Sequence, residues 1–199
     1  MREYYDKRAP EYDDWYLGRG LFAERDRPGW DEEVDALVRV LEALPPARTL
    51  DVACGTGFLT RHLPGDVTGL DQSAAMLALA AGQSPRASFV RGEALALPFP
   101  DGAFDRVFTG HFYGHLETEE RLRFLAEARR VAPELVVCDS ALREGVAEEG
   151  WQERKVRDGS RFAVYKRYFT GDGLAAELGG VEVIHAGTWF VTVQLRSDE

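Results

Sequence analysis

The sequence predicts an α/β chain: a mostly parallel sheet covered by helices on both faces, with an antiparallel end. Three observations carry that reading. Short apolar runs alternate with helical segments from Thr49 to Asp139, and such alternation pairs strands in parallel through right-handed crossovers. The runs at residues 49–54, 66–71, 87–90, 104–109 and 134–139 are short, carry apolar residues at their centres and are bounded by turn residues, as suits strands in a sheet covered on both faces. The rhythm then breaks. Residues 181–186 and 189–195 read as two strands joined across Gly187-Thr188, so the sheet closes antiparallel.

The elements follow in order. Residues 1–30 are rich in charge and in aromatics (Tyr4, Tyr5, Tyr12, Trp15, Tyr16, Phe22, Trp30) and show little periodicity. They read as an N-terminal arm with one or two short helices lying on the domain. From Asp31, the residues Val34, Leu37, Val38, Leu41 and Leu44 recur at helical spacing, and Pro45-Pro46 stops the helix. Residues 57–63 predict a short helix ended by Pro64-Gly65. Ser73 can N-cap a helix over 74–82, closed by Gly82. Residues 97–102 form a turn-rich loop. Residues 118–131 predict an amphipathic helix with Leu122, Leu125 and Ala128 on one face. Residues 151–170 predict a β-hairpin turning at Asp158-Gly159, and residues 171–178 a short helix closed by Gly179-Gly180.

Bulk properties narrow the function. The 199 residues fit a single domain over 1–199, and 45% hydrophobic with 29% charged residues is ordinary for a globular chain. No run approaches about 18 apolar residues, so no membrane span is expected. The opening MREYYDKRAPEYDDWY holds no apolar signal core, and the expected compartment is the cytoplasm. Cys54 and Cys138 do not make a disulfide framework and have no Cys or His at metal-ligand spacing. Two buried, reduced thiols and no metal are expected. The net charge of −10 argues against DNA or bulk RNA as the main partner.

The chemistry concentrates where the first strand meets its helix. Asp51 ends the strand, and Ala53, Gly55, Thr56 and Gly57 form a turn in which glycine permits close approach of a ligand to the backbone. Asp71 closes the second strand, 20 residues after Asp51. A carboxylate there accepts hydrogen bonds from ribose hydroxyls in dinucleotide folds; its alternative role is to hold the helix that starts at Ser73. A dehydrogenase would prefer GxGxxG, whereas Gly55-Thr56-Gly57-Phe58-Leu59-Thr60 places threonine at the third small position.

Taken together, DVACGTG, VTGLDQSAAML and RGEALALPFPDGAFDRV resemble the class I S-adenosylmethionine-dependent methyltransferases, in particular the small type-11 group, and the resemblance runs from about Tyr4 to Leu195. It implies a Rossmann-like, doubly wound sheet of seven strands in the order 3-2-1-4-5-7-6, mostly parallel with an antiparallel C-terminal strand. An N-terminal helical lid arm (1–30) and an inserted β-hairpin (151–170) complete it. The implied cofactor is S-adenosyl-L-methionine, leaving S-adenosyl-L-homocysteine. By resemblance, Asp51, Ala53, Gly55, Thr56 and Gly57 form the cofactor loop, Asp71 meets the ribose, and Gln72 and Met76 flank the adenosine. Glu93 faces the adenine amino group, Ala94 offers its N–H to the ring, and Tyr5, Tyr12 and Tyr16 close over the cofactor. The chain departs from the family at Ala53, where glycine is usual, at Glu93, where Asp is usual, and after ARRVAP, where paired glycines are missing.

The acceptor side is read from the loops. In GHFYGHL, His111 follows the fourth strand and is the general-base candidate; its alternative is a wall residue. His115 aligns with a recurrent His-Leu and reads as structural. Tyr113 and Tyr168 are substrate-facing candidates. The hairpin carries Arg154, Lys155, Arg157, Arg161, Lys166 and Arg167, and Arg161 and Arg167 are candidates to clamp an anionic acceptor; the alternative is a solvated face. No Asn/Asp-Pro-Pro-Tyr or Pro-Cys sequence follows these strands. With the acidic charge, these absences favour a small-molecule or protein acceptor, and a small molecule is the leading expectation. A cofactor-binding module without turnover and a protein or RNA methyltransferase stand as alternatives.

Overall fold

The computed structural model describes residues 2–180 and 182–196. The arm begins with helix α1 (Arg2–Arg8), then 3-10 turns at Ala9–Glu11 and Gly20–Phe22. Helix α2 (Trp30–Glu42) has three acids in its first turn and ends before the proline pair. Strands β1 (Ala47–Val52), β2 (Gly65–Asp71), β3 (Ser88–Arg91), β4 (Arg106–Gly110) and β5 (Glu134–Ser140) alternate with helices α3 (Ala74–Gln83) and α4 (Thr118–Val131). The hairpin strands β6 (Glu149–Lys155) and β7 (Arg161–Arg167) come next, then helix α5 (Gly171–Glu177) and strands β8 (Glu182–Ala186) and β9 (Phe190–Arg196).

The sheet order is β3-β2-β1-β4-β5-β9-β8, with β6 and β7 forming a separate two-stranded sheet. Counting the hairpin apart, this is the expected 3-2-1-4-5-7-6 order. β1 to β5 pair in parallel, and β9 runs antiparallel to both β5 and β8. Successive side chains of a strand face opposite sides, which splits the core in two. Leu50, Val52, Val107, Leu135 and Val137 meet α4 and α5. Phe108, Val136 and Cys138 meet α2 and the arm through Leu37, Leu41, Trp30 and Tyr16.

Five sequence readings are corrected. Residues 57–63 make only a 3-10 turn at Thr60–His62, and Leu63 is extended with φ −81 and ψ 128. Pro64 disfavours the helical conformation in the residue before it, and the short segment left cannot offset helix nucleation. Gly82 lies inside α3, which runs on to Gln83. Leu122 faces solvent at 65% exposure, while Arg121, Phe124, Leu125, Ala128 and Val131 form the buried stripe of α4. Cys54 stands beyond β1 and is only half-buried, whereas Cys138 is buried; both are free. The hairpin starts at Glu149, two residues before its expected edge. Val181, the first residue of an expected strand, lies outside the described residues.

Helix ends follow local chemistry. The Ser73 hydroxyl accepts from Met76 N–H at 3.2 Å to cap α3. Glu117 and Glu120 form a reciprocal capping box on α4. Truncating Phe124, wholly buried under β5, is expected to cost about 3–5 kcal/mol of stability, and truncating Leu122 less than about 0.5 kcal/mol. Urea unfolding of Phe124→Ala and Leu122→Ala checks this; equal losses would overturn the corrected helix face.

Candidate functional site

A cavity of about 370 Å³ opens at the carboxyl ends of the parallel strands, where open α/β sheets bind ligands. Its first wall is the turn after β1. Ala53, Gly55 and Gly57 all take left-handed backbone, with φ of 59, 55 and 80. A side chain on Gly55 would stand 3.5 Å from the Tyr12 ring, and one on Gly57 would crowd Ala80 and Ser84 of α3 at 3.1–3.2 Å. Among the described residues, Ala53 and His111 are the non-glycine positions with positive φ. Both border the cavity, in keeping with the tendency of strained backbone to gather at functional sites.

Asp71 sits at the end of β2, 7% exposed, against the cavity. It accepts from Gly55 N–H at 3.0 Å and from Ser73 N–H at 2.8 Å. It therefore holds the helix and borders the cavity at once. Burial raises its pKa, against the pull of those N–H groups. Gln72, Met76, Glu93 and Ala94 continue the wall, with Leu70 and Leu95 supplying apolar surface. Asp51 lies deeper, accepting the Thr60 hydroxyl at 2.6 Å. Burial raises its pKa to about 7, and it borders a small annex rather than the main cavity.

The arm reaches the cavity. Tyr5 and Tyr12 line the cavity. Tyr16 does not: it stacks on Phe58 with centroids 4.0 Å apart and reaches only the annex. Polar bonds tie the arm down. Asp6 accepts from Ser73 Oγ at 2.5 Å, and Asp13 accepts from Thr56 Oγ1 at 2.5 Å and Gln83 Nε2 at 2.7 Å. Thr56 thus spends its hydroxyl on the arm, and Gly57 backs onto α3; neither borders the main cavity.

His111 follows β4 and is 7% exposed. Its ring stands edge-on to Trp15 at 4.8 Å and Phe190 at 5.3 Å. Both ring nitrogens are buried without a hydrogen-bond partner. Burial lowers its pKa to about 4, with Asp139 opposing and Lys166 reinforcing the shift. The ring is neutral at pH 7. His115 also lines the cavity, its Nδ1 2.7 Å from the Tyr165 carbonyl.

The expected acceptor residues do not line the cavity. Tyr113 is fully buried below the site, donating to Glu177 at 2.8 Å and packing on Phe124 and Phe169. Arg161 pairs with Glu153 at 2.5 Å, and Arg167 with Glu148 and Glu177 at 3.2 and 3.0 Å. Those local acids draw both guanidiniums away from the cavity. Tyr168 is half-buried and bonded to Gln152 at 3.2 Å, also outside it. In their place the cavity meets Phe112, Leu116, Glu117, Glu120 and the hairpin's Trp151, Ala163 and Tyr165. Strand alternation signals that the last three share one face, but no sequence pattern shows where that face docks. Among the described residues, no group of His, Cys, Asp and Glu could hold a metal.

Comparison with known proteins agrees with this geometry. Residues 50–134 match the family model described as a methyltransferase domain. The demethylmenaquinone methyltransferase of Thermotoga maritima is 34% identical over 64% of this chain and 54% of its own length. The ajmaline N-methyltransferase of Rauvolfia serpentina is 38% identical over 44% of this chain and 33% of its own. The chain spans about half the length of the demethylmenaquinone methyltransferases it matches. Among solved structures, the DhpI-SAM-HEP complex aligns over 98% of this chain and 94% of that one, with TM-score 0.77 and 26% identity. A protein from Pyrococcus horikoshii OT3 aligns over 100% of both chains with TM-score 0.67 and 20% identity, a likeness of fold.

The buried His111 has a consequence for acid stability. Its folded pKa lies below its unfolded value of 6.5, so the unfolded state takes up the proton first. Stability from the neutral ring is complete above pH 6.5 and is lost as pH falls toward about 4. His111→Asn keeps a residue that tolerates the left-handed backbone and removes the titration. Chemical denaturation at stepped pH should show a shallower acid decline for the variant; parallel declines would sink the assignment of a buried neutral ring.

Proposed function

We propose that the chain is a class I S-adenosylmethionine-dependent methyltransferase and that it transfers a methyl group from S-adenosyl-L-methionine to a small-molecule acceptor, leaving S-adenosyl-L-homocysteine. The observation that carries this reading is one cavity bordered by the strained turn at Ala53 and Gly55, the Asp71 carboxylate and the turn at Glu93-Ala94, under Tyr5 and Tyr12. The residues present fit the cofactor. Asp71 is an acceptor for ribose hydroxyls, Glu93 and the Ala94 N–H suit the adenine edge, and Leu70, Met76 and Leu95 form apolar walls. The solved relatives DhpI-SAM-HEP and DhpI-SAH support the same ligand.

When bound, the cofactor supplies a methyl already activated on sulfonium sulfur. The chain's own work is to position the acceptor and exclude water. Tyr5, Tyr12 and the tied-down arm do the excluding. The neutral His111 accepts a hydrogen bond from the acceptor's nucleophilic group and aims it; with a pKa of about 4 it is a weak base, so orientation is its main contribution. Demethylmenaquinone and ajmaline methyltransferases as relatives and the net charge of −10 favour a small acceptor over DNA. Two unpaired thiols favour a cytoplasmic setting, and no described helix is long and apolar enough to cross a membrane.

Calorimetric titration with both cofactor forms, then a labelled-methyl screen over metabolite, RNA and protein pools, tests the proposal. Binding of neither form overturns it, and binding with label in no pool favours a module without turnover. Asp71→Asn should weaken binding by about 10–100-fold, the worth of a charge-assisted hydrogen bond. Affinity for the cationic cofactor should also fall below about pH 7, where the buried Asp51 takes up a proton that binding must expel. A pH-independent affinity between pH 6 and 8 would count against a charged Asp51 in the bound state.

A further inference from the structure

We propose that the methyl acceptor carries a compact oxyanion, a carboxylate or phosphate, held by Arg154, Arg143 and Arg25 where they gather around Tyr168. This deepens the methyl-transfer reading above and rests on it.

The cations on and around the hairpin are of two kinds, those paired with acids and those, among the described residues, without one; the exposed Lys155 is among the latter. Arg157, Arg161 and Arg167 each meet one or more carboxylates, and the buried Lys166 meets Asp139. Arg154, Arg143 and Arg25 pair with no acid among the described residues, in a chain with 34 acidic and 24 basic residues. Where acids are in excess, three neighbouring guanidiniums left without one call for a physical reason.

They come from three separate segments and are linked by the Tyr168 ring, 6.0 Å from Arg143, and by the charges of Arg154 and Tyr168, both of which act on Arg25. Arg154 lies on the same face of β6 as Gln152, two residues away, and Gln152 donates to the Tyr168 hydroxyl at 3.2 Å. Arg143, in the loop after β5, sits 4.1 Å over the Trp189 ring and 6.0 Å from that of Tyr168. Arg25, in the arm, lies 4.6 Å over Phe22, with Arg8 at 4.8 Å from the same ring. Partial burial lowers the pKa of Arg25, and the charges of Arg154 and Arg8 lower it further. The charges of Arg25 and Arg154 act against one another, and an anion between them relieves the repulsion. The aromatic seats fix the guanidinium planes, whose forked donors match a carboxylate or phosphate.

The cluster lies outside the cavity wall, on the hairpin face that carries Lys166, and reaches the loop of His111 through that lysine. Lys166 Nζ is 5.7 Å from the Tyr168 ring, and it binds Asp139, whose charge acts on His111. His111 itself has two buried nitrogens without partners, which a polar group of the acceptor would satisfy. An acceptor anchored by its anion near Tyr168 can therefore bring its nucleophile to His111.

The test titrates inorganic phosphate, and separately acetate, into the full chain saturated with S-adenosyl-L-homocysteine at fixed ionic strength. Saturable binding of at least one anion is expected. Arg154→Gln and Arg143→Gln should each weaken it about tenfold or more, while the acid-paired Arg161→Gln leaves it unchanged. Tighter phosphate identifies a phosphate acceptor, and tighter acetate a carboxylate. Binding of neither anion, or equal binding by all three variants, overturns the inference. The homocysteine titration keeps the two readings apart. A wild-type chain that does not bind S-adenosyl-L-homocysteine sinks the methyltransferase reading itself, whereas one that binds it but no anion sinks only the oxyanion. Each variant's affinity for S-adenosyl-L-homocysteine reports its fold, and Arg143→Gln, on a loop outside the cofactor cavity, decides the matter if Arg154→Gln does not fold.

Discussion

Two backbone donors from different crossovers, Gly55 N–H and Ser73 N–H, end on the single buried carboxylate of Asp71. Bonds of this kind to a charged acceptor contribute about 1.5–3 kcal/mol each. They tie the turn after β1 to the first residues of α3. The Ser73 hydroxyl caps α3 and donates to Asp6 of the arm. Glycine turn, carboxylate, helix and arm are thus bonded in one chain of contacts, and the cavity inherits its shape from that coupling. The cost is burial of an acid, seen in its raised pKa.

The arm is tied to both the body and the hairpin. Toward the body it offers the two carboxylates Asp6 and Asp13 and the stack of Tyr16 on Phe58. Toward the hairpin, Lys7 meets Asp158 and the Ser160 hydroxyl, and Asp14 meets Arg157, contacts with at least one well-exposed member. Exposed ion pairs contribute about 0–1 kcal/mol each. The firmer link is the buried Glu11, which accepts from the Arg157 backbone N–H at 3.1 Å and pairs with its guanidinium at 3.4 Å, beside the Tyr4–Phe162 contact.

Much of the fold was legible because strand burial on both faces leaves a plain apolar signature, as in the wholly buried Leu135, Val136 and Val137 of β5. Helix α4 was legible to the residue in extent but not in face, since Leu122 lies one position from the true stripe and composition alone does not separate them. Residues 57–63 misled because the spacing was helical while Pro64 governed the backbone. At the site, the residues of Asp51 to Glu93 that touch the cavity sit on strand ends whose positions the topology dictates. The hairpin was a different matter. Its charges were visible, but which arginine meets an acid depends on Glu148, Glu153 and Glu177 arriving from elsewhere or across the strand pair. Arg161 and Arg167 drew attention by position, and tertiary pairing neutralised them.

The deepest departure from a purely apolar interior is the Asp139–Lys166 pair, and it accounts for the loop that carries His111. Burial pushes the Asp139 carboxyl up, but Lys166, the His111 ring and the Gly114 N–H together hold it below the usual range. Its oxygens receive Gly114 N–H and Ser140 N–H at 2.7 Å each. A buried pair of this kind adds little net stability over apolar residues, yet breaking it is expensive; its worth here is positional. Lys166 comes from β7, so the bond that docks the hairpin also fixes the loop from Gly110 to Leu116. A side chain at Gly114 would meet the Arg167 carbonyl at 2.5 Å, which shows how tightly the two segments are pressed together. His111 is thereby held with φ of 57 and nitrogens unpartnered. Trp151, Ala163 and Tyr165 occupy the opposite face of the hairpin from Lys166, so the cavity wall can vary while the anchor that aims His111 stays unchanged.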